Sequence, residues 1–146
     1  MKTNFISPLS ITPTIMGKFN NVLLIDDDED CLFLTRHSLL KLGLFERVDA
    51  LSSVQAALDF ITANCIIQHT GIGPDVIFVD NQMQGMDGFD FLEELNNIPG
   101  IRISNFQIYM VSAFTNDADK EKLKKYNVQG FINKPLSLDK LKVLFN

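Results

Sequence analysis

A run of apolar residues that ends abruptly at a carboxylate is the feature of this chain that most limits its fold. Residues 76–79 read VIFV, without the polar alternation of a half-exposed strand, and Asp80 follows directly. A continuous apolar run of this length is typical of a strand buried on both faces, as in a parallel sheet covered by helices. Asp80 is therefore expected at the carboxyl end of that strand, where open α/β sheets place their chemistry.

A second run of the same kind lies nearer the start of the chain. Residues 22–25 read VLLI and lead into five consecutive acids, DDDED, at positions 26–30. A helix is predicted to follow, because Leu32 and Leu39 lie at helical spacing and Gly43 can adopt the left-handed backbone that ends a helix.

The rest of the chain alternates between short apolar runs and amphipathic stretches. Further strands are predicted at residues 47–51, 106–111 and 128–132. Helices are predicted to begin at a capping box made by Ser52 and Gln55, after Gly88, at Asn116 and near Ser137. Residues 62–74 are expected to form a long loop, since they end in a segment rich in glycine and proline.

This alternation predicts an α/β fold. Five strand–helix units joined by right-handed connections give a five-stranded parallel sheet with helices on both faces. The expected strand order is 2-1-3-4-5, as in flavodoxin-like sheets. The fourth helix has few apolar anchors, namely Ala118, Leu123 and Tyr126, which predicts low local stability.

The length of 146 residues leaves room for one domain with a proper core. We expect residues 1–18 to be a flexible leader and residues 19–146 to form the domain. The leader lacks the apolar core of a signal peptide, and no run is long enough to span a membrane, so a cytoplasmic protein without a membrane partner is expected.

A net charge of −5 argues against nucleic-acid binding. Cys31 and Cys65 show neither a disulfide nor a metal spacing and are expected in the core.

The predicted sheet brings several polar side chains to one edge. These are the residues at the ends of strands one, three, four and five: Asp26, Asp27, Asp80, Ser112 and Lys134. Clustered carboxylates repel one another by on the order of 4 kcal/mol per pair at a separation of about 4 Å. Mg²⁺ is the natural cation for such oxygen ligands. A carboxylate nucleophile, a metal and a lysine are sufficient for phosphoryl transfer to Asp80, and the hydroxyl of Ser112 could donate to the phosphoryl group.

Four spaced motifs carry a resemblance to a known family. They are VLLIDDDED at the first strand, VIFVDNQMQGMDG at the third, YMVSA at the fourth and GFINKPLS at the fifth. Over roughly residues 20–146 the chain resembles a response-regulator receiver domain, of the stand-alone type without an output domain. The resemblance implies a receiver fold and a signalling function in a two-component phosphorelay.

The resemblance also implies a role for each matching residue. Asp80 is the phosphoacceptor, Lys134 pairs with the phosphoryl group, and Ser112 and Phe131 are the switch residues. The implied ligands of Mg²⁺ are Asp26, Asp27, Asp80 and the backbone carbonyl of Gln82. A cis peptide bond is implied between Lys134 and Pro135.

Two features depart from the family pattern. Gln84 stands where receivers usually have proline, so the loop after the third strand is expected to be looser. The last helix is short, which puts in doubt a partner surface that depends on its final turn.

The implied partners are a histidine kinase or histidine phosphotransfer protein and an unknown downstream protein, with the chain itself a monomer or weak dimer. It is expected to catalyse only its own phosphoryl transfer and slow dephosphorylation.

Two other functions remain open from the sequence. Asp26 and Asp28 faintly resemble the aspartate pair of haloacid-dehalogenase-like phosphatases, in which Asp26 would be the nucleophile, although that pattern would require threonine at Asp30. The third alternative is a pseudo-receiver that kept the fold as an interaction module independent of phosphorylation. Asp28 and Asp87 are otherwise expected to cap helices.

Overall fold

The computed structural model describes residues 19–67, 71–126 and 128–145. The expected leader, residues 1–18, lies outside this part of the chain. The strands are β1 (Phe19–Ile25), β2 (Phe45–Leu51), β3 (Val76–Asp80), β4 (Gln107–Ser112) and β5 (Gly130–Asn133). The α-helices are α1 (Glu29–Leu42), α2 (Val54–Ile61), α3 (Gly88–Asn96), α4 (Asp117–Leu123) and α5 (Leu138–Leu144).

The five strands form one parallel sheet in the order β2-β1-β3-β4-β5, which confirms the predicted fold class and strand order. Ile25 pairs with Val79, and Asp80 pairs with Val111. This register aligns the carboxyl ends of β1, β3 and β4. The residues that follow these strands therefore meet at one edge of the sheet.

Helices cover both faces of the sheet, and each face has its own apolar core. The side chains of β3 alternate between the two cores, as the pleat of a strand requires. Ile77 and Val79 pack with α2, α3 and α4, whereas Val76 and Phe78 pack with α1 and α5. All four side chains are at most 2% exposed, which explains the unbroken apolar run.

The helix termini follow local capping chemistry. The side chain of Asp28 accepts hydrogen bonds from the backbone N–H groups of Asp30 and Cys31 at the start of α1, and Gly43 ends the helix at φ +76°. Asp87 forms a capping box with Asp90 at the start of α3. These caps were expected from the sequence.

Two local predictions were wrong. Helix α2 is capped by Ser53, whose hydroxyl accepts a hydrogen bond from the N–H of Ala56, rather than by Ser52. Gln55 instead contacts Asp59 one turn later. The expected loop at 62–74 begins with a π-helix, Thr62–Ile67, which continues α2.

The strand boundaries and cysteines also differ in detail. Strand β2 begins two residues earlier than predicted, and β5 begins at Gly130 rather than at Val128. Cys31 and Cys65 are unpaired and half-buried, so neither is a full core residue. Over the ranges that the structure describes, the helices are too short or too polar to cross a membrane.

Candidate functional site

Three carboxylates meet at the carboxyl edge of the sheet. Asp80 is the last residue of β3, and Asp26 and Asp27 directly follow β1, its neighbour in the sheet. One carboxylate oxygen from each residue lies within 4.8 Å of the other two. The structure thus brings together the three acids that the sequence analysis placed at this edge.

Lys134 joins two of these acids. Its Nζ lies 3.0 Å from Oδ2 of Asp26 and 3.1 Å from Oδ2 of Asp80. The backbone of Lys134 is held by its own N–H, which donates to the carbonyl of Ser112 at 2.9 Å. The peptide bond between Lys134 and Pro135 is cis, as the resemblance implied.

Each of the three carboxylates also accepts a hydrogen bond from a backbone N–H. The N–H of Asp28 donates to Asp26 at 2.9 Å. The N–H of Gln82 donates to Asp80 at 3.1 Å, and the N–H of Gln84 donates to Asp27 at 3.0 Å. Bonds of this kind stabilise the charged form of a carboxylate and fix its orientation. The backbone therefore offsets part of the repulsion among the acids.

Burial controls the electrostatics of Asp80. The residue is only 4% exposed, and this burial raises the pKa of its carboxyl to about 6. The Gln82 N–H acts in the opposite direction, Asp26 raises the pKa further, and Lys134 lowers it. Burial of Lys134 would lower its own pKa, but the hydrogen bonds and charges of Asp26 and Asp80 together raise the pKa of Lys134 above its ordinary value.

The donor set fits a hard divalent cation. Asp26, Asp27 and Asp80 offer oxygen ligands in one cluster, and the single ammonium of Lys134 balances only part of their charge. Mg²⁺ prefers carboxylate oxygens and keeps several water ligands. The backbone N–H of Gln82 donates to the carboxylate of Asp80. The role of the Gln82 carbonyl as a metal ligand stays a prediction.

A cavity of about 410 Å³ adjoins the acids. Asp26, Asp80 and Lys134 line it together with apolar side chains from α1 and the sheet, including Leu32 and Phe78. Asp80 is only 4% exposed, so its carboxylate borders this cavity rather than open solvent.

Ser112 reaches the same edge, but its hydroxyl is bonded to the following loop. Ser112 is the last residue of β4 and is fully buried. Its Oγ donates to the carbonyl of Phe114 and accepts from the N–H of Phe114 at 3.1 Å. The predicted switch hydroxyl is thus engaged with the β4–α4 loop.

Phe131 lies in β5 and is half-buried. Its ring meets that of Phe89 edge to face, with centroids 6.3 Å apart. Nζ of Lys122, on α4, lies 4.4 Å from the centroid of the Phe89 ring. The sequence analysis missed Phe89 and Lys122 because no spacing rule pairs residues of separate helices.

Comparisons with known proteins agree with this fold. The chain matches the response regulator receiver domain family over residues 22–146. A probable methanogenesis regulatory protein of Methanothrix harundinacea is 25% identical over 124 residues, covering 83% of this chain and 76% of that protein.

Solved structures show the same architecture. A two-component response regulator of Cytophaga hutchinsonii superposes with a TM-score of 0.78 at 24% identity, covering 88% of this chain and 96% of that one. A chemotaxis protein of Vibrio cholerae superposes with a TM-score of 0.68 at 24% identity, covering 86% of this chain and 96% of that one. At these identities the likeness establishes the fold.

Proposed function

This chain belongs to the response regulator receiver domain family of two-component signalling, and we propose that it accepts a phosphoryl group on Asp80 in a Mg²⁺-dependent reaction. The observation that supports this most directly is the arrangement around Asp80. Its carboxylate lies within a cluster of acids and contacts the ammonium of Lys134 at 3.1 Å.

The proposed Mg²⁺ ligands are Asp26, Asp27, Asp80 and the carbonyl of Gln82. When bound there, the ion supplies positive charge that offsets the charge of the phosphoryl oxygens. Lys134 adds a second positive charge beside Asp80. Its raised pKa keeps this ammonium protonated at neutral pH.

The acceptor must be ionised for the transfer. One carboxylate oxygen of Asp80 forms the bond to phosphorus, and the bond from phosphorus to the donor breaks, with its electron pair leaving on the donor. For a histidine kinase or histidine phosphotransfer protein, the leaving group is the imidazole nitrogen. Because the pKa of Asp80 is about 6, most of the carboxyl is ionised at neutral pH even before a cation binds.

The hydroxyl of Ser112 can transmit the modification. It has a single O–H donor, which is directed to the carbonyl of Phe114. A phosphoryl oxygen on Asp80 competes for that proton, so phosphorylation would release the start of the β4–α4 loop. The loop leads into α4, of which only Leu123 is buried. We propose that the rearranged loop and α4, together with Phe131, form the contact with a downstream protein.

The test is phosphorylation by acetyl phosphate in the presence of Mg²⁺, followed by intact mass measurement. The native protein should gain the mass of one phosphoryl group, and Asp80→Asn should gain none. Asp139→Asn is the matched control, since Asp139 is an exposed acid on α5. No gain in the native protein, with a partner still bound, would instead indicate a pseudo-receiver.

The same experiment separates the receiver from the phosphatase alternative. A phosphatase of the haloacid-dehalogenase type would carry the phosphoryl group on Asp26. The side chain of its second acid, Asp28, caps α1 here, which disfavours that mechanism. Mapping the modified residue to Asp26 would overturn the receiver proposal.

The switch is tested by adding beryllofluoride, a phosphoryl mimic, and following backbone amide resonances. Residues 112–126 should shift, because the Ser112 hydroxyl changes partners and the loop follows. Unchanged resonances in this range, in a protein that binds the mimic, would contradict the switch.

A further inference from the structure

A hydrogen bond links two loops of the acidic site. The backbone N–H of Gln84 donates to Oδ2 of Asp27 at 3.0 Å, across 57 positions in the sequence. Gln84 lies in the loop between β3 and α3, and Asp27 lies in the loop between β1 and α1. The bond therefore ties the loop that follows the phosphoacceptor to one of the acids beside it.

Asp27 is the least constrained of the three acids. Asp26 and Asp80 are at most 9% exposed and both contact Lys134, whereas Asp27 is exposed. Within the described ranges, the Gln84 N–H is the one protein donor to the Asp27 carboxylate. Repulsion from Asp26 and Asp80 acts to push an exposed, flexible carboxylate outward into water.

The loop presents this N–H through its backbone. Gly85 has φ +85°, and the N–H of Met86 donates to the carbonyl of Gln84 at 3.1 Å, so the chain turns tightly here. The side chain of Gln84 is exposed and takes no part in the bond to Asp27. Any residue other than proline could supply the same donor at this position.

We infer that Gln84 is a positioning residue, whose backbone N–H holds the Asp27 carboxylate beside Asp26 and Asp80 in the orientation that a cation requires. The bond uses one acceptor site of Oδ2 and leaves the other acceptor sites of the Asp27 carboxylate free. Glutamine at this position supplies a backbone N–H that proline would lack. This inference rests on the proposed role of Asp27 as a Mg²⁺ ligand.

The test compares Gln84→Pro, which removes the N–H, with Gln84→Ala, which removes only the side chain. Mg²⁺ binding to each full-length protein is measured by calorimetric titration. Gln84→Ala should bind like the native protein, and Gln84→Pro should bind about fivefold more weakly, which corresponds to about 1 kcal/mol. Equal binding by the two variants would overturn the inference. Tighter binding by Gln84→Pro would also overturn it, because the N–H would then compete with the ion.

A second measurement does not depend on Mg²⁺ or on the folding of the proline variant. In the native protein with a chelator present, the Gln84 amide proton should be protected from solvent exchange. In Asp27→Ala the same proton should exchange at the rate of an unprotected loop amide. Free exchange of this proton in the native protein would overturn the inference.

Asp27→Ala also separates this inference from the proposed function. If Asp27→Ala binds Mg²⁺ as tightly as the native protein, the proposed ligand set is wrong. If Asp27→Ala weakens binding while the two Gln84 variants bind alike, only the role of Gln84 is wrong. Unfolding by urea, measured on the same samples, shows whether Gln84→Pro acts on the cation site or on the stability of the whole fold.

Discussion

Asp80 combines burial with a charge that the proposed phosphoryl transfer requires. Burial favours the protonated form and raises the pKa from about 3.8 to about 6. The neighbouring Asp26 acts in the same direction, and the Gln82 N–H and Lys134 oppose it. The folded protein therefore binds a proton at Asp80 more tightly than the unfolded chain does.

This difference predicts a pH dependence of stability. Because the pKa of Asp80 is higher in the folded state, its contribution to stability is complete below about pH 4 and is lost as the pH rises through about 6. Asp80→Asn removes this dependence, so the variant should be more stable than the native protein near pH 8, by on the order of 3 kcal/mol at most. Urea unfolding of both proteins with a chelator present, from about pH 4 to about pH 8, measures the difference.

The outcome that contradicts this prediction is a stability difference between the two proteins that stays constant over the whole pH range. Adding Mg²⁺ provides a further check. A cation that binds the ionised acids should stabilise the native protein most at the higher pH, where Asp80 is charged.

At the residue scale, the sequence was sufficient to place side chains but not to assign their hydrogen bonds. Asp26 and Asp80 directly follow apolar runs and Lys134 directly follows β5, so the strand order brings the three side chains together. The partner of Ser112 depends on the path of the β4–α4 loop, and no residue pattern predicts that its hydroxyl bonds Phe114. Gln84 stood out as a departure, but only the structure shows where its N–H points.

Helix α4 is the least anchored of the three α-helices on its face of the sheet. Leu123 is its one buried residue, and Ala118, an expected anchor, is exposed. Lys122 supplements this anchor by placing its ammonium over the ring of Phe89, which in turn contacts Phe131. These two contacts, which we call the Lys122–Phe89–Phe131 cluster, connect α4 to the predicted aromatic switch.

The Lys122–Phe89–Phe131 cluster predicts that truncating Lys122, a surface lysine, lowers stability. Lys122→Ala should lower stability by about 0.5 to 1 kcal/mol, the usual size of an exposed cation–π contact, and should speed amide exchange in α4. Lys120→Ala, on the same helix and also exposed, is the control and should change neither. Lys122→Arg should retain the native exchange rates, because a guanidinium makes the same contact. Equal amide exchange rates in the two alanine variants would show that the Lys122–Phe89–Phe131 cluster does not stabilise α4.

The elements themselves could be predicted where local chemistry decides them. The buried residues of α2 and α3 recur at helical spacing. Asn116 caps α4, as predicted, by accepting a hydrogen bond from the N–H of Asp119. The cap of α2 was predicted one residue too early because Ser52 and Ser53 are adjacent and equally suited to capping. The π-helix Thr62–Ile67 was missed because it depends on how the chain leaves α2, which residue spacing does not encode.

At the scale of the whole molecule, the fold could be predicted because the apolar runs indicate strands that are buried on both faces. A parallel sheet buried on both faces requires helices on both sides, and right-handed connections leave few strand orders. The aromatic contacts that join the end of the chain to the sheet could not be predicted this way. They depend on the position of α5 rather than on its composition.

Phe145 makes these contacts directly after α5. Its ring meets Phe45 of β2, Phe78 of β3 and Tyr109 of β4 edge to face, with centroid distances of 5.4, 6.2 and 6.4 Å. One side chain thus bridges a large part of the sheet on the α1 and α5 face. Although α5 is short, the residue that directly follows it therefore contacts three strands.

Phe145→Ala should consequently destabilise the whole domain rather than fray its last helix. The ring is half-buried, so we expect a loss of about 2 kcal/mol, below the range for fully buried phenylalanine. Val143→Ala is the control, since Val143 is 80% exposed and its truncation should cost less than about 0.5 kcal/mol. Urea unfolding followed by far-UV circular dichroism and by tyrosine fluorescence should give coincident transitions for both variants. A separate early transition in Phe145→Ala would show that α5 unfolds independently and that the ring does not couple it to the sheet.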